Sequence, residues 1–368
     1  MLLHLADLHL GASYDFLPDK AATACRAAQL TALTDALHYA NDRRADAVLI
    51  AGDLFDAPVP PAPLVTQVLS LLSRAHCPVL ISPGNHDYLC PESPYESPEL
   101  PANVHVFRSA QLEPFALDEE TLIWGAAFCG TSAAIPLGAP LPEDQCNLLL
   151  VHADLLASSG YNPLSPDRLA DSGFSYAALG HNHDFSGLLR AGGTVYACPG
   201  CLMARAGNET GTRGFLAGSV TREDAALQFI PGSGVVFAEL IQSLTGIVDD
   251  RALGKAIAAQ IPENHHRVCA TLTLTGERRY EPDLAALQNA LGRVFLSAAL
   301  RDQSALWRDP WRYAGDDDLR GAVTRRFRAQ HDGTADSAVR KQTLYALRVA
   351  LAALDGEDFP QPTVSDQV

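Results

Sequence analysis

The sequence lacks a long hydrophobic run. Of its 368 residues 47% are hydrophobic and 19% are charged, which is the balance of an ordinary globular protein. No uninterrupted apolar stretch approaches the roughly 18 residues that a membrane-spanning helix requires. The opening segment Met1–Asp7 reaches an acidic residue too early to act as a secretory signal peptide. We therefore expect a cytoplasmic protein with no membrane partner.

Positive charge is scarce in the first two thirds of the chain. Residues 1–240 contain 11 Lys and Arg against 26 Asp and Glu, whereas residues 241–368 contain 16 against 17. The formal net charge of −16 therefore lies almost entirely in the first part, and this argues against unspecific binding of that surface to a polyanion. A nucleic-acid substrate would need a strong local source of positive charge, and metal ions are the natural candidate.

A disulfide framework is also missing. Eight cysteines are scattered along the chain, and without an export signal they predict reduced thiols. The one close pair, Cys198 and Cys201, encloses Pro199-Gly200 and has the spacing of a dithiol redox motif. The residues that follow do not clearly open a helix, as that motif requires. We favour a structural Pro-Gly turn, with redox chemistry as the alternative.

Short apolar strands alternate with helix-forming segments over the first 81 residues. The predicted strands are 2–6, 47–51 and 78–81, and the predicted helices between them are 19–44 and 64–75. Repeated units of strand, loop and helix predict a mostly parallel sheet with right-handed crossovers. The proline-rich residues 88–103 predict an exposed excursion.

From residue 104 onward the predicted strands follow one another without long helices. They are 104–107, 122–124, 147–151, 176–179, 194–197, 215–218 and 235–240. We expect this half to form a second sheet packed against the first. Beyond residue 245 the pattern changes again, to predicted helices at 249–261 and 284–295 with a strand at 268–274 between them.

The expected fold class is therefore α/β. We predict a two-sheet αββα sandwich over residues 1–245, and a separate small α+β domain over residues 246–314. A C-terminal region with a helical tail would cover residues 315–368, joined through a flexible segment at 315–318.

The predicted C-terminal region is locally basic and carries a leucine stripe. Residues 320–348 hold seven Lys and Arg against two acidic residues, so they would contact the phosphates of a nucleic acid or a partner protein, or form an ordinary solvated face. Ser337 is a candidate helix cap and Gly356 a helix stop. The leucines between them are Leu344, Leu347, Leu351 and Leu354. Such a stripe packs on its own domain or docks a partner protein, and the sequence leaves both readings open.

Side chains of metal-ligand type recur where predicted strands end. Asp7 and His9 follow the first strand at i and i+2, so they point to the same side of an extended chain. Any one of these positions alone would read as a packed residue, a cap or a turn, but their repetition favours a metal site. Because ligands bind at the carboxyl ends of strands in open α/β sheets, we expect these side chains to converge. The full set is Asp7, His9, Asp53, Asn85, His152, His181 and His183, with His86 beside Asn85.

Two carboxylates, one amide and four imidazoles suit manganese, iron or zinc better than calcium or magnesium. Seven ligands exceed the need of one ion, so we predict two divalent ions, with Asp53 as the bridge. Paired ions roughly 3.5–4 Å apart acidify a bound water and brace the attacking and leaving oxygens of a displacement. His86 would donate a proton to the leaving oxygen, oriented by Asp56 or Asp87.

Five motifs resemble those of the calcineurin-like metallophosphoesterase superfamily. In chain order they are Asp7-x-His9, Gly52-Asp53, Gly84-Asn85-His86-Asp87, His152 and Gly180-His181-x-His183. Longer segments are similar to the SbcD-type DNA repair exonuclease family, particularly its YhaO-like bacterial branch. These segments are His4–Gly11, Gly52–Phe55, and Gly180–His183 followed by Cys198–Gly200. The resemblance spans residues 1 to about 200.

This resemblance implies a manganese-dependent exonuclease or endonuclease that hydrolyses DNA phosphodiesters in repair and recombination. It implies a small capping domain, and an ATPase partner of the structural-maintenance-of-chromosomes type, SbcC- or YhaN-like, that docks on the C-terminal region. A homodimer is a further expectation. One ion would be held by Asp7, His9, Asp53 and His183, and the other by Asp53, Asn85, His152 and His181.

The resemblance also makes His86 catalytic, with Asp56 beside it. Some family members carry a second catalytic histidine where this chain has Asp56, so a neutral or cationic donor is missing at that position. Two rival functions stay open. One is a small-molecule phosphodiesterase or phosphomonoesterase on the same scaffold, and the other is a catalytically idle scaffold subunit for an ATPase.

Overall fold

The computed structural model describes residues 1–97, 99–138, 141–155 and 161–356. The chain divides into two compact units. The first comprises Met1–Ala238, Asn264–Ala270 and Val294–Ser297, and the second comprises Glu239–Glu263, Thr271–Arg293 and the chain from Ala298 onward. The predicted boundaries at residues 245 and 314 stay predictions, and the end of the predicted C-terminal region, residues 357–368, lies outside the described residues.

The predicted strands and helices occur in the predicted order, and further strands and helices lie among them. The strands are β1 (Leu2–Leu5), β2 (Ala47–Ile50), β3 (Val79–Ile81), β4 (Val104–Val106), β5 (Glu113–Ala116), β6 (Thr121–Gly125), β7 (Cys146–His152), β8 (Tyr176–Gly180), β9 (Leu189–Ala191), β10 (Thr194–Ala197), β11 (Gly214–Val220), β12 (Ala225–Pro231), β13 (Val236–Ser243), β14 (Val268–Thr275), β15 (Glu277–Arg278), β16 (Ser297–Asp302) and β17 (Ala305–Leu306). The α-helices are α1 (Asp19–Asp42), α2 (Ala62–Leu72), α3 (Pro166–Ala170), α4 (Asp250–Ala258), α5 (Leu284–Val294), α6 (Leu319–Asp332) and α7 (Ser337–Asp355).

Two six-stranded sheets build the first unit. The first has the order β12-β11-β1-β2-β3-β4, in which β1 to β4 are parallel and the β11–β12 hairpin adds antiparallel strands at one edge. The second has the order β5-β6-β7-β8-β10-β9, with four parallel strands between antiparallel edge strands. The α/β two-sheet fold is therefore confirmed.

The expected division of strands between the sheets is wrong in part. We expected the strands between residues 104 and 240 in the second sheet, but β4, β11 and β12 extend the first sheet, and β13 belongs to a three-stranded sheet with β14 and β16. The parallel register of β4 continues that of β3, with Val79 opposite Val104. A hydrophobic pattern indicates a strand and its buried face but not its neighbour in the sheet, so this error lies beyond what periodicity resolves.

Apolar side chains fill three layers around these sheets. One cluster lies between the first sheet and helices α1 and α2, and includes Leu33 and Ile50. A second joins the inner faces of the two sheets, with Leu49 from β2 and Leu148 from β7. A third covers the outer face of the second sheet. Strand β7 is buried along its whole length, as expected for a central parallel strand covered on both faces.

The proline-rich segment after β3 is not the wholly exposed excursion that we predicted. Pro94–Glu96 forms a 3₁₀ turn, and the Tyr95 ring is only 1% exposed. Its hydroxyl donates a hydrogen bond to the buried carboxylate of Asp87, so this segment closes over a polar group that needs a partner.

The second unit contains most of a three-stranded sheet, β13-β14-β16, together with α4, α5, α6 and α7. Asp318, in the segment that we predicted to be flexible, caps α6 by accepting a hydrogen bond from the N–H of Gly321. The predicted cap of α7 is wrong, because Asp336 and not Ser337 accepts from the first turn. Gly356 ends α7 in the left-handed conformation, with φ +71°, as predicted.

The leucine stripe of α7 is divided between burial and exposure. Leu347 and Leu351 are buried, whereas Leu354 is 40% exposed, so part of the stripe packs within the described protein. No helix among the described residues is long and apolar enough to cross a membrane.

The two sheets lie close together at the end of β8. A Cβ at Gly180 would lie 1.8 Å from the carbonyl oxygen of Ala51, which follows β2. We expect Gly180→Ala to push these backbones apart and to lower the free energy of unfolding by about 2 kcal/mol or more, measured by urea denaturation. Gly193→Ala is the matched control on the same sheet, because its Cβ would meet no atom within 4 Å. Equal stability of the two variants would contradict this close approach.

Candidate metal centre

All seven predicted ligands lie at the carboxyl ends of central strands. Asp7 and His9 follow β1, Asp53 follows β2 and Asn85 follows β3. His152 is the last residue of β7, and the remaining two histidines follow β8. The structure brings all seven side chains into one cluster, in which four are almost completely buried: Asp7, His9, Asp53 and His152.

The backbone at this cluster adopts an uncommon conformation. Asp7, His9, Asp53 and His181 have φ values of +51°, +44°, +51° and +86°, in a region that residues other than glycine seldom enter. Such residues persist only where the surrounding structure holds them. Here the N–H of His9 donates to the Asp53 carbonyl at 2.9 Å. The local turns therefore aim several ligands inward at once.

Asp87 holds the loops after β2 and β3 together. Its buried carboxylate accepts hydrogen bonds from the N–H groups of Gly84 at 2.7 Å and Leu54 at 2.8 Å. Its other partners are the N–H groups of Asp53 and Phe55 and the hydroxyl of Tyr95. None of these contacts involves His86, so they do not support the prediction that Asp87 orients His86.

A first group of ligand atoms contains Asp7, His9 and His183, whose candidate atoms all lie within 4.8 Å of one another. The Nε2 atoms of His9 and His183 are 3.1 Å apart. Each of these rings has its Nδ1 against a carboxylate, at 3.1 Å from Asp56 and at 2.5 Å from Glu209. Because a carboxylate accepts, each Nδ1 carries a proton, so the two Nε2 lone pairs face each other and repel unless a cation or a proton lies between them.

A second group contains Asn85, His152 and His181. His152 Nδ1 lies 3.0 Å from the Ala51 carbonyl, which fixes the proton there. Its Nε2 therefore presents a lone pair, 2.9 Å from Asn85 Oδ1 and 3.3 Å from His181 Nδ1. Two acceptor atoms, His152 Nε2 and Asn85 Oδ1, therefore converge with a third atom of ligand type, His181 Nδ1.

Asp53 lies between the two groups. Its Oδ2 is 3.6 Å from His9 Nε2 and 3.5 Å from His152 Nε2, while its Oδ1 accepts a hydrogen bond from the N–H of His86 at 2.9 Å. Two sets of converging lone pairs that share one carboxylate fit a pair of divalent cations. The Asp and His groups of this cluster are thus placed to bind metal ions.

The charges of the cluster fit the same purpose. Burial raises the pKa of Asp7 to about 6, and burial together with the neighbouring charge of Asp87 raises the pKa of Asp53. Burial lowers the pKa of His9 to about 3 and that of His181 to about 4. At neutral pH the two imidazoles are uncharged and can coordinate a cation, whereas the carboxylates are costly to ionise without one.

Glu209 is a neighbour of the cluster that the sequence did not reveal. Burial opposes its ionisation, but hydrogen bonds from His183 and from the N–H groups of Arg205 and Ala206 lower its pKa to about 2. Burial likewise opposes protonation of His183, but the hydrogen bond to Glu209 outweighs it and raises the pKa of that histidine. Glu209 thus fixes the ring orientation of a candidate ligand, as the outer partners of metal-bound histidines do.

His86 and Asp56, the predicted catalytic pair, lie beside the cluster. His86 Nδ1 is 3.2 Å from the Asp56 carbonyl and 3.7 Å from its carboxylate, and the His86 side chain is 34% exposed. The His86 ring can also join His9 and Asp53 in a group of ligand type. The Asp56 carboxylate itself contacts His9 and Arg205.

Three further neighbours of the cluster were missed. Arg205 approaches Asp56 and His9, the Tyr161 ring lies 5.1 Å from that of His181, and Gln29 donates to the carbonyl of His9. Of these three residues, only Arg205 could have been noticed in the sequence, because lysine and arginine are scarce in the first 240 residues.

Cys198 and Cys201 form a structural turn in this neighbourhood. Both are free, buried thiols, and burial raises the pKa of each. Gly200 between them has φ +80°, and a Cβ there would meet the carbonyl oxygen of His183 at 2.7 Å. Because reactive thiols are partly exposed and have lowered pKa values, this geometry supports the structural reading over redox chemistry.

A two-sheet sandwich with Asp, His and Asn side chains at its strand ends defines a metal-binding phosphoesterase. Residues 1–185 match the family model described as calcineurin-like phosphoesterase. The chain belongs to this family, which confirms the predicted superfamily.

Two curated relatives are similar to this chain over more than half of its length. The chain is 27% identical over 294 residues to the uncharacterized metallophosphoesterase YhaO of Bacillus subtilis, an alignment covering 74% of this chain and 71% of that protein. It is 32% identical over 233 residues to the DNA double-strand break repair protein Mre11 of Aeropyrum pernix, covering 55% of this chain. That alignment spans 53%, about half, of the archaeal protein.

Asp7 offers a test of the cluster's charge balance. Its pKa of about 6 in the folded protein lies above the unfolded value of about 4. The cost of ionising Asp7 in the metal-free protein therefore grows between about pH 4 and pH 6 and is fully present above pH 6. Asp7→Asn should therefore raise the free energy of unfolding in EDTA by about 2 kcal/mol at pH 8, and this gain should shrink as the pH falls from 6 towards 4. Urea denaturation across this pH range measures it.

The same measurement is repeated after Mn²⁺ is added to both proteins. Wild type should gain stability on adding Mn²⁺, because the ion binds the folded state, whereas Asp7→Asn should gain little. A variant that is less stable than wild type throughout the pH range would contradict this account of Asp7.

Proposed function

We propose that this chain is a metal-dependent DNA nuclease that hydrolyses phosphodiester bonds during repair and recombination, acting as an exonuclease or endonuclease. The observation that carries the proposal is the position of Asp53, whose Oδ2 lies within 3.6 Å of imidazole nitrogens from two separate acceptor groups. Family membership supports phosphoester chemistry, and the archaeal relative, named for double-strand break repair, supports DNA as the substrate.

In this proposal the cluster holds two divalent ions, with Mn²⁺ preferred over Fe or Zn. Asp7, His9, Asp53 and His183 would hold one, and Asp53, Asn85, His152 and His181 the other. Bound ions of this kind attract a phosphate and acidify water. They would also supply positive charge where residues 1–240 have little.

His86 is the proposed general acid. In the protonated imidazole, Nδ1–H donates to the Asp56 carbonyl at 3.2 Å, and the Asp56 carboxylate at 3.7 Å stabilises the positive charge. This arrangement leaves Nε2–H free for the leaving oxygen. The backbone N–H of His86 is anchored on Asp53, so the proton donor keeps a fixed relation to the cluster.

The ATPase partner rests on the family resemblance alone. We propose that an ATPase of the structural-maintenance-of-chromosomes type docks on the C-terminal helices. Leu319 of α6 is 64% exposed and Leu354 of α7 is 40% exposed, which leaves apolar side chains for such a contact. Burial of Leu347 and Leu351 assigns the rest of the stripe to internal packing.

The test compares wild type, His86→Ala and His38→Ala on linear duplex DNA with Mn²⁺. We expect wild type to cleave DNA and His86→Ala to lose about 100-fold or more of the rate, because it lacks the proton donor, while manganese binding measured by equilibrium dialysis is unchanged. His38→Ala, an exposed histidine of α1, is the matched control and should cleave like wild type.

Small substrates separate the rival functions. Cleavage of bis(p-nitrophenyl) phosphate or p-nitrophenyl phosphate without cleavage of DNA would favour a small-molecule phosphoesterase. A manganese-loaded wild type that cleaves none of the three, alone or with its ATPase, would favour the idle scaffold. Full activity of His86→Ala would remove His86 from the mechanism.

A further inference from the structure

Arg205 brings a guanidinium to the rim of the metal centre. Its Nη1 lies 3.1 Å from the Asp56 carboxylate and 3.4 Å from His9 Nδ1. The Arg205 side chain is 30% exposed, so one edge of the group contacts the cluster and another reaches solvent. This places an arginine against Asp56, which itself lies beside the predicted catalytic His86.

The loop that carries Arg205 is fixed to the centre by Glu209. One Glu209 oxygen, Oε1, contacts His183 Nδ1 at 2.5 Å. The other, Oε2, accepts hydrogen bonds from the N–H groups of Arg205 at 2.5 Å and Ala206 at 3.2 Å. A single carboxylate therefore orients a candidate metal ligand and the backbone of Arg205 together, and the guanidinium has a defined position relative to the ligands.

Most donors of this guanidinium are not used by the described part of the chain. Nη1 contacts Asp56, whereas Nη2 and Nε have no hydrogen-bond partner among residues 1–97, 99–138, 141–155 and 161–356. Arginine presents five N–H donors in a planar fork that matches two oxygens of a phosphate.

We propose that Arg205 binds a non-bridging oxygen of the substrate phosphate, with Asp56 holding the guanidinium in place. This assignment deepens the proposed function and rests on it for the substrate class. It also restores a cationic donor to the corner of the site where the chain carries Asp56. Arg205 thus adds a protein-based positive charge to the one that bound ions would supply.

The test measures binding of inorganic phosphate to the manganese-loaded protein by titration calorimetry, with manganese binding determined separately for each variant. Arg205→Met should weaken phosphate binding about tenfold or more, the range expected for one charge-assisted hydrogen bond, and should leave manganese stoichiometry at the wild-type value. Arg205→Lys, which keeps the charge but loses the fork, should fall between Arg205→Met and wild type.

Arg222→Met is the matched control, because it removes one exposed arginine of the first unit from the loop between β11 and β12. It should bind phosphate like wild type. With DNA as substrate, Arg205→Met should raise KM more than it lowers kcat.

Three results would overturn the assignment. These are phosphate binding by Arg205→Met as tight as in wild type, no phosphate binding by wild type, and loss of manganese from Arg205→Met, which would make Arg205 a support of the centre. Failure of the proposed nuclease function has a different signature. It would appear as wild-type protein that binds phosphate through Arg205 and cleaves no DNA.

Discussion

The candidate metal centre depends on holding hydrogen-bond acceptors in contact with one another. His9 and His183 direct lone pairs at each other across 3.1 Å, and the His152 Nε2 lone pair faces the Asn85 Oδ1 oxygen across 2.9 Å. Such contacts are unfavourable without a cation, so groups on the outer side of the rings must hold them. The Ala51 carbonyl and the carboxylates of Asp56 and Glu209 do this by accepting from the far nitrogen of each ring that they touch.

Other features of the centre also hold its loops and strand ends in place. Four ligands adopt left-handed backbone conformations, and Asp87 collects four backbone N–H groups and one tyrosine hydroxyl from adjoining loops. Gly84 and Gly180 leave no space for a Cβ against Asp53 and Ala51. Each feature brings two strand ends closer than ordinary side chains would allow. The sheet framework thus stores a cation-binding arrangement that the ligands alone would not maintain.

Much of the centre could be predicted, because its ligands come directly after strands. Apolar runs such as 47–51 mark where a strand ends, and the i, i+2 spacing of Asp7 and His9 indicates a shared direction. Glu209 could not be predicted, because it lies 26 residues beyond its partner His183, in a loop with no periodicity. Arg205 contacts Asp56 across 149 residues. The placement of β4, β11 and β12 failed for a similar reason, since pairing between strands is a long-range property.

The charge distribution agrees with this division of roles. The first 240 residues are strongly acidic. Within the cluster, burial lowers the pKa values of His9 and His181 and raises that of Asp7, so burial disfavours the charged forms of all three. Bound cations would relieve both conditions, and Arg205 supplies a further positive group at the rim. An anionic substrate would then be attracted to one point of an otherwise repellent surface.

The central claim is that two cations share Asp53. Anomalous diffraction at the manganese edge, from crystals grown with Mn²⁺, tests it most directly. The account predicts two peaks per chain, one beside His9 and His183 and the other beside His152 and His181, each with an Asp53 oxygen as a ligand. A single peak, or peaks remote from Asp53, would contradict it.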